Sequence, residues 1–290
     1  MSDVRGVLRL GAILGEGALW DAAEQALYWV DIKGRLVHRY DPASGEDRHW
    51  PVPTDVGSLA LRRDGGLVLA LRSGFHFFDP ATGVATPIAE PEPDRLENRF
   101  NDGKTDRQGR FWAGSMHDPE TRSTGALYRL DADRSCRRMI DGIGCSNALC
   151  WSPDSRTMYH ADTSVGTVWA WDFDAARGEV ANRRPFVEVP AAQGAPDGAT
   201  VDAEGFVWVA HWNGWRVTRY APDGRVDRVV RLPVQRPTCP AFGGPRLDVL
   251  FVTSATIGLS PTERAAQPWA GGLLAFEPGV RGLPEARFGG

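Results

Sequence analysis

Glu16, Asn101, Asp102, Asn147 and Asp197 are the residues of this 290-residue chain whose types and spacing best suit chemistry. Each opens a recurring segment, and each carries a side-chain oxygen. Brought together, such groups repel one another unless a cation or several hydrogen bonds compensate them. Carboxylates and amides are hard donors that suit Ca²⁺, Mg²⁺, Mn²⁺, Fe²⁺ or Zn²⁺. Only three protein ligands would leave positions open for water and a substrate. Turn chemistry competes with this reading, because Asn101-Asp102-Gly103 and Asp197-Gly198 are also ordinary turn sequences.

The segments that must position these residues form a repeat. One pattern is an apolar stretch, a polar turn often carrying Asp and Gly, and a second stretch often carrying Trp. It starts at Gly17, Ser58, Asp102, Asn147, Asp197 and Gly243, at intervals of about 41 to 50 residues. A second hairpin pattern follows each copy. In the first of these, Leu36, His38 and Tyr40 alternate with Val37 and Arg39, which is strand periodicity. Six copies of hairpin plus hairpin predict an all-β fold: a six-bladed β-propeller of four-stranded antiparallel blades, as one domain over residues 1–290. A β-sandwich is the rival, disfavoured by the regular repeat. No sustained helical periodicity is present. The first strand of each blade would line a central channel, with the metal site at its mouth. The entries are Glu16, Asn101 with Asp102, Asn147 and Asp197, joined by Asp55 in blade two and by Ala241 and Phe242 in blade six. The 33 glycines and 21 prolines then belong to blade turns and the 11 tryptophans to inter-blade core.

Composition narrows the function classes. A net charge of −4 argues against a nucleic-acid partner. No apolar run reaches the roughly 20 residues that span a bilayer, and no leader pattern is visible, so a cytoplasmic location is expected. Cys136, Cys145, Cys150 and Cys239 form no Cys-x-x-Cys pair and are expected to be reduced. The chain is expected to be a monomer or weak homodimer. His38 and His76 fall inside second hairpins, away from the mouth, and His49 reads as a surface residue. His160 and His211 lie 51 residues apart, which reads as one structural position repeated. No Gly-x-Ser-x-Gly elbow supports serine chemistry, and the repeated Gly-His and Trp-Asp marks of WD40 interaction propellers are missing.

Five linked motifs carry a resemblance. LGEGALW holds Glu16, NRFNDGKTDRQGRFWAGSM holds Arg99 and Asn101, CSNALCWSPDSRTMYHAD holds Asn147, PDGATVDAEGFVWVAHW holds Asp197, and CPAFGGPRLDVLFVTSA follows. In order and separation they resemble the SMP-30/gluconolactonase/regucalcin-like family from about Gly11 to Phe276, and within it most resemble bacterial sugar lactonases. The resemblance implies one divalent metal ion held by Glu16, Asn147 and Asp197, with Asn101 near metal and substrate, Arg99 on substrate hydroxyls or carbonyl, and Asp102 behind them. It implies hydrolysis of a small sugar lactone, an aldonolactone such as xylono-, arabinono- or gluconolactone, to the aldonic acid. The metal would polarise the carbonyl and Asp197 would act as general base; the alternative leaves Asp197 only orienting a hydroxide on the metal. Residues 115–124 read as a loop at the mouth, where His117, Asp118 and Glu120 would line the site. Trp212 and Trp215 are candidates for stacking on a sugar. The alternative function is a non-catalytic calcium-binding or regulatory propeller of the regucalcin type.

Overall fold

A computed structural model describes residues 3–290. Six sheets of four antiparallel strands stand around a central axis as the blades of a β-propeller. In blade one the strands are Gly15–Asp21, Ala26–Asp31, Leu36–Asp41 and Glu46–Pro51, ordered from the axis outward. Every residue of the innermost strand is buried, whereas the outermost alternates between exposed and half-buried. Inner strands are covered on both faces by adjacent blades, so below their polar entries they carry mostly small and apolar residues. Outer strands meet water on their edge and need charge there.

Blades three and five show how the repeat folds locally. Asp106 and Asp202 each sit at a hairpin turn. One carboxylate oxygen of Asp106 accepts from the amides of Gln108 and Arg110, and the other accepts from the Trp112 indole at 2.8 Å. Asp202 does the same with Glu204, Phe206 and Trp208, the indole lying at 2.9 Å. The turn and the core tryptophan are thereby tied by one side chain. Trp29, Trp112 and Trp208 are all fully buried, as the repeat predicts.

Three features depart from expectation. Blade six is not built from four consecutive strands: Pro237–Gly243, Val249–Ser254 and Leu273–Phe276 are completed by the N-terminal strand Arg5–Leu8, which pairs with Leu273–Phe276. The first and last parts of the chain thus share a sheet and close the ring. The innermost strand of that blade begins at Pro237, so Thr238, not Ala241 or Phe242, occupies its upper end. A short helix, Pro261–Ala266, interrupts the same blade, started by a capping box of Ser260 and Glu263. Lastly, His160 and His211 are not equivalent. His211 pairs with Pro196, just before Asp197, while Ser146, just before Asn147, pairs with Asp162, so His160 lies two residues from the equivalent position.

Every innermost strand carries a register shift near its start, with one extra residue relative to its partner. These β-bulges break alternation and re-aim side chains. They fall at Glu16/Leu19, Phe100/Gly103, Asn147/Cys150 and Pro196/Ala199, where the candidate residues lie. In blade one the bulge places Gly17 at φ 58°, a conformation suited to glycine. In blade five a Cβ on Gly198 would meet the Thr238 carbonyl at 2.8 Å, so glycine is needed for blades five and six to approach.

Candidate active site

The bulges turn side chains from several blades into one cavity at the channel mouth. Glu16, Arg99, Asn101, Glu120, Asn147 and Asp197 all line it. Leu14, Met116, Cys145, Thr163 and Trp212 complete the wall. The mixed polar and apolar lining suits a small polar ligand.

Glu16, Asn147 and Asp197 are buried, each less than 5% exposed. The Asn147 side-chain amide donates to Thr163 Oγ1 at 2.8 Å, and Thr163 donates to the Pro196 carbonyl, fixing the Asn147 oxygen toward the axis. That oxygen accepts from Asn101 Nδ2 at 3.1 Å and retains a second lone pair. Asn101 also donates to the Ser146 carbonyl at 2.9 Å, so blades three and four are stitched at the cavity floor. Asp102 lies beneath, accepting from the Leu149 amide at 2.8 Å.

The electrostatics test whether a cation fits. Burial pushes the Glu16 carboxyl up to about 8, and the Asp102 carboxylate adds to the rise. Asp197 is pushed well above the usual carboxylate range by burial, then by the charges of Glu16 and Asp102. Two buried carboxylates beside an amide oxygen, with a third carboxylate behind, are therefore uncomfortable alone and match the donor set of a hard divalent ion.

Arg99 is positioned by Asp118, whose carboxylate accepts from its Nε at 2.7 Å, and its Nη1 donates to Asn101 Oδ1 at 2.7 Å. Asp118 also binds Lys33 at 2.7 Å and meets Arg72. Burial alone would raise the Asp118 carboxyl; the Lys33 hydrogen bond and the Arg99 charge overcome this and hold it at about 2. Asp55, the blade-two entry, joins this ion cluster through Lys33 and Arg35 and is not in the cavity wall.

His117 does not line the cavity. It follows Met116 on the strand Phe111–His117, and alternation gives the cavity to Met116 and turns His117 away. Its ring is 2% exposed, with Nε2 3.4 Å from Glu97 and Nδ1 3.3 Å from the Thr121 amide. Glu120 reaches the cavity from the following turn, at φ 56°. Of the two tryptophans, Trp212 lines the wall and Trp215 does not. Cys145 opens the motif that holds Asn147 and Thr163 follows its end, but sequence reasoning assigned neither to the site.

The propeller and this mouth define a class. Residues 14–256 match the model of the SMP-30/Gluconolactonase/LRE-like region, and the chain belongs to that family. It is 37% identical to a 6-deoxy-6-sulfogluconolactonase of Pseudomonas putida, over 98% of both chains. It is 38% identical to an L-arabinolactonase of Azospirillum brasilense, over 96% of this chain and 92% of that one. Among solved structures, a calcium-binding protein, regucalcin, from Agrobacterium tumefaciens superposes with a TM-score of 0.94 at 32% identity, covering 99% of this chain and 97% of that one.

Proposed function

We propose that the chain hydrolyses a small sugar lactone to its aldonic acid, with Glu16, Asn147 and Asp197 holding one divalent cation. The observation that carries this is the convergence of two buried carboxylates and an oriented amide oxygen in a cavity that also holds a free polar wall. A cation bound there would supply Lewis-acid polarisation of the lactone carbonyl. The chain's own residues do the rest. Arg99 and Asn101 align the sugar ring through hydroxyl or carbonyl contacts, and Asp118 keeps the Arg99 fork in place. Trp212 and Met116 give the ring an apolar face, and Glu120 meets its outer hydroxyls. Asp197 takes a proton from water as the water oxygen bonds to the carbonyl carbon. The ring C–O bond then breaks, and the proton passes to the departing alkoxide. The named relatives that act on sugar lactones support the substrate class.

A second reading is a calcium-binding regulatory propeller, favoured by the likeness to the calcium-binding regucalcin. Initial rates of acid release separate the two. We expect rates above spontaneous hydrolysis for at least one pentono- or hexonolactone, abolished by chelator and restored by added divalent ion. No acceleration with any lactone, with any of the five candidate ions, favours the calcium-binding reading.

A further inference from the structure

Far from the channel, the outer half of blade one gathers a different donor set. His38 lies on the strand Leu36–Asp41, and His49 faces it directly across the pair on Glu46–Pro51. Asp47 is two residues before His49, so strand alternation puts it on the same face. One coordinating atom from each of the three lies within 4.8 Å of the others. The cluster is also built from behind. Asp47 accepts from the Trp29 indole at 3.3 Å and meets His38 Nδ1 at 2.7 Å. The His38 ring stacks on Trp29 with centroids 4.0 Å apart, and the His49 ring is 5.5 Å from it. His38 is 3% exposed, and its Nε2 has no hydrogen-bond partner among the described residues. With Asp47 accepting from Nδ1–H, the His38 lone pair sits on Nε2, where no protein donor competes for it. His49 is exposed and gives an entering ion its path.

We propose that His38 and His49, with Asp47 orienting the His38 ring from behind, form a second metal site, selective for a borderline ion of the zinc class and separate from the oxygen-only mouth. Two imidazoles suit Zn²⁺ and disfavour Ca²⁺, which prefers oxygen ligands. The remaining positions are left to water. The ion clips the outermost strand of blade one to its neighbour.

The test is calorimetric titration of the chelator-stripped full chain with zinc chloride in excess calcium chloride, for wild type, His49→Ala and Asp47→Asn. His49 is exposed, so its removal spares the core, and circular dichroism checks folding. We expect one zinc equivalent in wild type despite the calcium. It should be lost in His49→Ala and weakened by about tenfold or more in Asp47→Asn, at least the effect of losing an outer-shell partner. Cobalt(II) substitution should give visible bands that vanish with His49→Ala. An Asp197→Ala chain should keep the zinc, which separates this site from the mouth. Zinc binding by His49→Ala equal to wild type, or no calcium-resistant zinc in wild type, overturns the proposal.

Discussion

Asp118 was read in the sequence as a loop residue that would line the site; instead it stands behind the cavity wall and governs Arg99. Against the rise that burial would cause, Lys33 and Arg99 hold its carboxyl at about 2. A carboxyl lowered on folding adds stability that is present above its unfolded pKa and lost as pH falls through the folded one. Asp118→Asn should therefore cost about 1–2 kcal/mol at pH 7, discounted for its partial exposure, and the cost should shrink below about pH 3. Urea denaturation at both pH values checks this; an equal cost at both contradicts the charge account. If Arg99 aligns the sugar, KM for the lactone should also rise, with the larger change in KM than in kcat. That Glu16, Asn101, Asn147 and Asp197 meet in one cavity was legible because each opens a repeat. His117 was misassigned because the face of a strand end depends on pairing, which spacing alone does not reveal.

At the scale of the strand, the site depends on bulges. An extra residue in each innermost strand turns the entry side chain toward the axis, and it works only where the backbone can follow. Gly198, beside the candidate ligand Asp197, is one such case, with Cys239 Cα 2.9 Å and the Thr238 carbonyl 2.8 Å from where a Cβ would stand. Gly198→Ala should push blade six from blade five, lowering stability by about 1–3 kcal/mol and activity with it. Unchanged stability by chemical denaturation would mean that the two blades adjust freely. The six-fold repeat was readable because Asp-Gly turns and tryptophans recur at matching offsets. The strand Arg5–Leu8 was not, since an edge strand of four residues carries no motif and gains its partner only when the ring closes.

The whole molecule is closed at two places. Blade six joins strands from both parts of the chain. The C-terminal segment crosses the far end of the channel. There Glu285 meets Lys104 at 3.2 Å, Arg287 meets Asp21 at 2.7 Å, and Phe288 is fully buried with Phe75, Phe111 and Leu130. Phe288→Ala should cost about 3–5 kcal/mol in urea denaturation, the range for a buried aromatic; a cost below about 1 kcal/mol would show that the segment is not part of the core. With one end covered, the open end is the mouth that holds Glu16, Asn147 and Asp197. Of the cavity walls, Trp212 was read ahead as a candidate for sugar stacking; Leu14, Met116, Cys145 and Thr163 were not, because only ring closure brings them together. The most direct test of the central claim is the rate of acid release from the best lactone by Asp197→Ala, corrected for spontaneous hydrolysis and with folding verified. The rate should fall to background at every divalent ion concentration; near-normal turnover would contradict the account.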